Sequence, residues 1–302
     1  MLSNKGLHIN CFAVTDKMDR KDNQDFFLSE GDNHLYIVAD GMGGHKGGAL
    51  ASKFASFMAQ SIMGAVDSLV STNGTDEWSL MSEGEVLNYE DVLKHIYLEA
   101  HRKTMVKGID HNTQGMGCTI VLLLFRGERL YILNAGDSRC YRYGEEDLCR
   151  LTRDHSLVDE LLRDKQISKE QTKSHHGKNL VRRWIGGDKF SGMPDTYSMP
   201  YYANDRFIIC TDGVTKELDD AKIEEFAKTD NIKDAANGMI AAVKATPYKF
   251  REVTELDDDG NKRKAMRKIN KDNATVMIVE VVRKAKDAAA DIEKTHRWKL
   301  EG

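Results

Sequence analysis

The chain has 302 residues, with 44 Lys and Arg against 48 Asp and Glu and a formal net charge of −4. A chain this long buries roughly 75% of its unfolded surface, so it needs no disulfide or metal staple to fold. With 40% hydrophobic residues and only 3 Pro it is neither disordered nor collagen-like, and the near balance of charge gives no reason to expect nucleic acid or an anionic membrane as partner.

The first ten residues lack an apolar h-region, so no signal peptide is expected. Short apolar runs then predict strands over 7–14, 26–28 and 35–39. Leu50, Phe54, Phe57, Met58, Ile62 and Ala65 fall on one stripe and predict a helix over 49–65. A second helix over 89–106 carries Val92, Leu93, Ile96, Tyr97 and Ala100. Strands follow at 119–125, 130–134 and 140–142, the first two joined by Arg126-Gly127-Glu128, which reads as a hairpin. Ser156 caps a short helix through Leu162. Beyond it come a strand at 207–211, a helix at 231–245, a strand at 274–282 and a polar, Ala-rich helix at 283–298.

Hairpin-linked strands imply largely antiparallel sheets, and the long amphipathic helices imply packing on sheet faces. The expected fold is α+β, two stacked antiparallel β-sheets flanked by α-helices. Without an internal repeat or a Pro or Gly/Ser linker, residues 1–283 read as one domain and 284–302 as a helical tail. The five cysteines, Cys11, Cys118, Cys140, Cys149 and Cys210, form no C-x-x-C pair and read as reduced thiols. The longest apolar run, 120–125, is far too short to span a membrane. A cytoplasmic protein is expected.

Two segments depart from this plan. Residues 156–178 are polar and resemble a flap. Residues 246–271 carry Asp257-Asp-Asp-Gly260 and then six Lys or Arg between Lys262 and Lys271. The acidic triplet has Lys262 where a calcium loop needs its turn Gly, so a charged hairpin is the favoured reading. The basic run reads as a solvated strand face.

Several aspartates end apolar runs: Asp40, Asp137 and Asp212, while Asp272 immediately precedes the 274–282 strand. One Asp-Gly after a strand is ordinarily a turn. Four such carboxylates on one rim would repel one another unless cations neutralised them. Oxygen donors without His or Cys favour hard ions, Mg²⁺ or Mn²⁺.

Seven motifs occur in order: Arg20-Lys-Asp-Asn-Gln-Asp25, Asp40-Gly-Met-Gly-Gly-His45, Gly115-Met-Gly-Cys-Thr119, Asn134-Ala-Gly-Asp-Ser-Arg139, Leu151-Thr-Arg-Asp-His155, Cys210-Thr-Asp-Gly213 and Asp272-Asn-Ala-Thr275. Together they resemble a metal-dependent serine/threonine protein phosphatase of the 2C (PPM) type, over nearly the whole chain. The resemblance implies that Asp40 bridges two Mn²⁺ or Mg²⁺ ions and that Gly41 offers its carbonyl to one. It implies that Asp212 and Asp272 complete the other ion's shell, with Asp25 and Gln24 acting through water. Asp137 would hold a third, weaker ion, and Arg20 would grip the substrate phosphate. The implied chemistry is attack on phosphorus by a metal-activated water, without a covalent phospho-enzyme.

Arg139 and Asn273 read as supports of the metal-bearing turns and His155 as an organiser of its own turn, while His45 reads as a surface or helix-start residue in preference to an acid near the site. His175 and His176 fall in the segment matching the family's mobile flap. Met42 stands where some relatives carry a His proposed as the leaving-group acid, and the loop before Arg20 is one residue short and lacks a Gly. Phosphorylated Ser/Thr proteins would be the partners, together with an opposing protein kinase, and a monomer in signal transduction is expected. A partner-binding pseudo-phosphatase and a dinuclear hydrolase of small phosphate esters are the competing readings.

Overall fold

The computed structural model describes residues 6–42, 45–72, 87–145, 147–256 and 262–283. The strands are β1 (Leu7–Asp16), β2 (Asp25–Glu30), β3 (Leu35–Met42), β4 (Gly117–Cys118), β5 (Ile120–Arg126), β6 (Arg129–Ala135), β7 (Arg139–Gly144), β8 (Asp147–Arg150), β9 (Ile185–Gly186), β10 (Asp195–Pro200), β11 (Arg206–Cys210), β12 (Phe250–Leu256), β13 (Lys262–Lys268) and β14 (Ala274–Arg283). The helices are α1 (His45–Thr72), α2 (Tyr89–Asp110), α3 (Leu157–Arg163), α4 (Lys169–Ser174), α5 (Asp212–Thr215), α6 (Asp220–Ala227) and α7 (Ile232–Ala245).

One sheet has the order β1-β14-β11-β7-β8. The other runs β10-β6-β5-β3, with β2 on the free side of β3 and the short β4 and β9 continuing from its end. Neighbouring strands pair antiparallel throughout the described residues. The strands read as continuous apolar runs because the central ones are buried on both faces. On β3, Tyr36 and Val38 point between the sheets, where they meet Leu123, Phe207, Ile209, Met277 and Val279. Leu35, Ile37 and Ala39 point the other way, onto α1 and α2.

Helices close both outer faces. Ala51, Ala55 and Ala59 form a small-residue stripe that lets α1 lie close to the second sheet, and Leu93, Ile96 and Tyr97 seat α2 beside it. Ile223 of α6 and Ala236, Met239 and Val243 of α7 pack against Ile208, Val276 and Ile278 of the first sheet. Each fully buried large side chain stabilises the stack by about 1.5–3 kcal/mol relative to exposure. The architecture is the expected α+β sandwich of two antiparallel sheets between helical layers.

The polar 156–178 segment holds two short helices rather than open loop. Ser156 accepts the Asp159 N–H to cap α3, and Ser168 with Gln171 forms a capping box on α4. Residues 246–271 contain the β12–β13 hairpin, paired in register from Phe250↔Lys268 to Leu256↔Lys262 and forming a separate two-stranded sheet. The Asp-rich turn at 257–261 lies outside the described residues. At the hairpin's base Tyr248 Oη donates to Asp19 Oδ1 at 3.2 Å, and the Lys271 N–H donates to Asp19 Oδ2 at 3.0 Å. Strand β14 extends to Arg283, and the remainder of the expected terminal helix and the 284–302 tail lie outside the described residues.

Candidate active site

Strand pairing brings the acidic residues to one end of the sandwich. Asp25 and Asp40 are directly opposed on β2 and β3. Asp212 begins α5 immediately after β11, and Asp272 lies two residues before β14, the partner of β11 with Cys210 opposite Val276. Asp137 occupies the turn between β6 and β7, and Arg139 of β7 opposes the same Cys210. Both sheets therefore contribute, and the carboxylates come from five separate chain passages.

Each carboxylate is held from behind. The Asp40 N–H donates to Thr119 Oγ1 at 3.1 Å, and its carbonyl accepts the Thr119 N–H at 2.8 Å. Asp25 Oδ2 accepts from Thr275 Oγ1 at 2.7 Å and Thr211 Oγ1 at 2.9 Å, while its Oδ1 is buried without a partner. Asn273 accepts the Gln24 N–H at 2.9 Å and donates to the carbonyls of Lys17 and Asp22 at 3.0 Å, tying the Arg20 loop to the start of β14. Arg139 forks onto Asp154 at 3.0 and 2.8 Å, and His155 Nδ1 accepts the Gly136 N–H at 3.2 Å beside Asp137. Arg139 and Asn273 thus brace the turns beside Asp137 and Asp272 as expected, whereas His155 reaches across to the Gly136 turn rather than ordering only its own.

Two glycines permit the close approach. A Cβ on Gly41 would lie 2.6 Å from the Gln24 carbonyl and collide with the Gly48 carbonyl at the start of α1. A Cβ on Gly213 would overlap the Asn273 carbonyl, so α5 and the entry to β14 meet only because residue 213 is Gly.

The carboxylates sense one another. Although part of Asp40 meets solvent, desolvation is the largest influence raising its carboxyl well above the ordinary range, followed by the charges of Asp25, Asp212, Asp137 and Asp272. Burial pushes Asp25 up to about 7 against the lowering hydrogen bonds of Thr275 and Thr211. Burial and then Asp212 push Asp137 up to about 7.

Cations answer this charge from the chain itself. Arg20, half-exposed, places a guanidinium nitrogen 3.0 Å from Asp272 Oδ1. Lys216 forms an ion pair with Asp212 Oδ2 and lies 3.3 Å from Asp272 Oδ2. Among the described residues no three acidic, His or Cys side chains are drawn into a closed metal cage. Yet Asp212 Oδ1, like Asp25 Oδ1, is buried without a partner. An all-oxygen set with two orphaned carboxylate oxygens and mutual repulsion fits hard divalent ions.

Sequence reasoning assigned no role to Lys216, Thr119, Thr211 or Thr275. The i, i+4 spacing of Asp212 and Lys216 was the available signal, but it counts only once residues 212–215 are seen as helix rather than turn. His175 and His176 stack on each other at 4.4 Å after α4. The His45 side chain lies outside the described residues.

A family model for protein phosphatase 2C matches residues 18–246. The chain is 31% identical over 271 residues to the serine/threonine phosphatase stp of Listeria innocua, spanning 89% of this chain and 94% of the relative. A Streptococcus agalactiae serine/threonine phosphatase structure superposes with a TM-score of 0.70 at 24% identity, over 90% of this chain and 99% of that one. The catalytic domain of the serine/threonine phosphatase PstP, solved in complex with two manganese ions, gives 0.66 at 23% identity, covering 91% and 99%. The order of the motifs, the four-layer sandwich and the acid-lined end of its two sheets all accord with these matches: the chain belongs to the protein phosphatase 2C family.

Proposed function

We propose that the chain hydrolyses phosphoserine and phosphothreonine in proteins as a metal-dependent phosphatase, with Asp40, Gly41, Asp212 and Asp272 holding two Mn²⁺ or Mg²⁺ ions. The observation that carries this reading is the clustered, partly buried carboxylate set, whose members raise one another's pKa and leave orphaned oxygens on Asp25 and Asp212, in a chain of this family. The manganese pair in PstP supports the choice of ion. When bound, such ions supply the Lewis acidity that makes a water nucleophilic near neutral pH.

The chain's own residues do the remaining work. Thr119 locks both backbone groups of Asp40, which fixes the point on β3 from which its carboxylate projects. Gly41 would offer its carbonyl to one ion, Asp25 and Gln24 would act on the ions through water, and Asp137 would help hold a third, weaker one. Arg20, half in solvent and on a loop tied by Asn273, grips the equatorial oxygens of the phosphate and stabilises the charge that builds there. Cys11, Cys118, Cys140 and Cys210 are poor nucleophiles, because burial raises their thiols away from thiolate character.

The catalytic domain spans 1–283 and acts as a monomer in the cytoplasm, opposing a protein kinase in signal transduction. All five cysteines are unpaired, as a reducing compartment favours. Among the described residues no helix is long and apolar enough to cross a membrane. Phosphate release from a phosphothreonine peptide, measured with Mn²⁺ and with excess chelator, tests the function. Activity is expected with Mn²⁺ alone, and full activity in chelator would refute the reading.

A further inference from the structure

Lys216 is the fourth residue after Asp212, so the single turn of α5 aims its side chain back over that carboxylate. Its Nζ pairs with Asp212 Oδ2 and lies 3.3 Å from Asp272 Oδ2, joining two carboxylates that sequence places 60 residues apart. The Lys216 carbonyl accepts Lys249 Nζ at 2.9 Å, and Lys249 also pairs with Glu217 at 3.1 Å. The base of the β12–β13 hairpin thus fastens the end of α5 from behind. The Lys216 side chain is 38% exposed, which leaves it a route into solvent.

We propose that Lys216 is a built-in cation that occupies the place between Asp212 and Asp272 in the metal-free protein and must withdraw before a divalent ion binds there. The inference rests on the metal-site reading above. An ammonium and a dication cannot both occupy the space between the two carboxylates, where their charges repel, so the lysine competes directly with the ion. In the metal-free protein it neutralises the Asp212 and Asp272 carboxylates, which would otherwise repel each other, while Arg20 offsets Asp272 from its other oxygen. The competition sets the ion affinity of this end of the site. Asp212 Oδ1, buried and without a partner, leaves acceptor capacity that the lysine does not use.

Calorimetric titration of the metal-stripped protein with Mn²⁺ tests this, using Lys216→Met, which keeps most of the aliphatic stem and removes the charge. Lys249→Met is the control, because it deletes a neighbouring charge that touches neither carboxylate. Lys216→Met is expected to bind Mn²⁺ about tenfold more tightly, and Lys249→Met within about twofold of the unmodified protein. Lys216→Met should also melt at a lower temperature in chelator and gain more from Mn²⁺. Should Lys216→Met prove insoluble, Lys216→Gln is titrated in its place with the same expectation. Unchanged or weaker Mn²⁺ binding by the Lys216 variant overturns the inference and leaves the metal site standing. Equal tightening in Lys249→Met also overturns it, since general charge would then be the cause. An absence of Mn²⁺ binding in every protein overturns the inference and the metal site together.

Discussion

Asp40 and Arg20 mark the two halves of the proposed chemistry, and substitution separates them. Asp40→Asn keeps the side-chain shape and leaves the Thr119 bonds to the backbone intact, but removes a negative charge on which both ions depend. Mn²⁺ affinity and turnover are expected to fall together, turnover by at least about 10²-fold. Arg20→Ala removes one contact to Asp272 while all the carboxylates remain. Calorimetric Mn²⁺ affinity should stay within a few-fold, while kcat/KM falls by about 2–4 kcal/mol of transition-state stabilisation. Retained metal binding in Asp40→Asn, or lost binding in Arg20→Ala, would reverse the assigned roles. Asp40, Asp137 and Asp212 were legible in the sequence because each ends an apolar run, and Asp272 because it stands just before one, positions that strand pairing turns into a shared rim. Lys216 was not, because one lysine among 44 basic residues acquires meaning only from a four-residue helix too short for periodicity to reveal. The threonines behind Asp25 were equally silent: their partner lies 186 and 250 residues away in sequence.

At the scale of elements, legibility followed burial. β3, β5, β11 and β14 are apolar on both faces and stood out, whereas β10, an edge strand of mixed polarity ending in Pro200, and the two-residue β4 and β9 left no periodic trace. α6 did carry a signal, in Asp219 capping the Lys222 N–H and in Ile223, Phe226 and Ala227 at helical spacing, that an eight-residue stretch left too brief to weigh. The β12–β13 hairpin pairs with itself alone, and Phe250 and Met266 on it are exposed. Replacing 250–268 by an Asn-Gly turn between Lys249 and Ile269, already joined by a 2.8 Å backbone bond, should therefore cost less than about 1 kcal/mol in urea unfolding. Gly213→Ala is the opposite case. Its Cβ would overlap the Asn273 carbonyl where α5 meets the entry to β14, so a loss of about 2–4 kcal/mol is expected in the same measurement. A large loss from the hairpin deletion, or none from Gly213→Ala, would show that the site end of the sandwich is held differently.

For the molecule as a whole, the acid rim is a place where the two sheets repel, since Asp25 and Asp40 belong to one and Asp212 and Asp272 flank the other. Asp25 and Asp137, pushed up to about 7 first by burial, titrate in the folded protein well above the value near 3.9 of an unfolded Asp. Between about pH 4 and 7 the unfolded chain has therefore released protons that the folded metal-free protein retains at Asp25 and Asp137, so these two groups lower stability as pH rises through that window, against a smaller opposite contribution from His34 and His101, whose imidazoles burial lowers. Carboxylates shifted the other way do not mask this. Asp19, lowered first by the Lys271 N–H, and Asp195, lowered first by the hydrogen bond from His155, contribute stability that is lost only as pH falls below about 4. Divalent ions invert the dependence, because they bind the ionised carboxylates and add stability in proportion to the logarithm of ligand concentration over Kd. Calorimetric melting at pH 5 and pH 7.5 should accordingly show a lower Tm at the higher pH in chelator, and a Mn²⁺-induced gain that is larger at pH 7.5 than at pH 5. Asp25→Asn, which keeps an acceptor for Thr211 and Thr275, should flatten the metal-free difference. A metal-free Tm that rises from pH 5 to pH 7.5 would mean that the rim is not under electrostatic strain, and that the two sheets meet there without needing an ion between them.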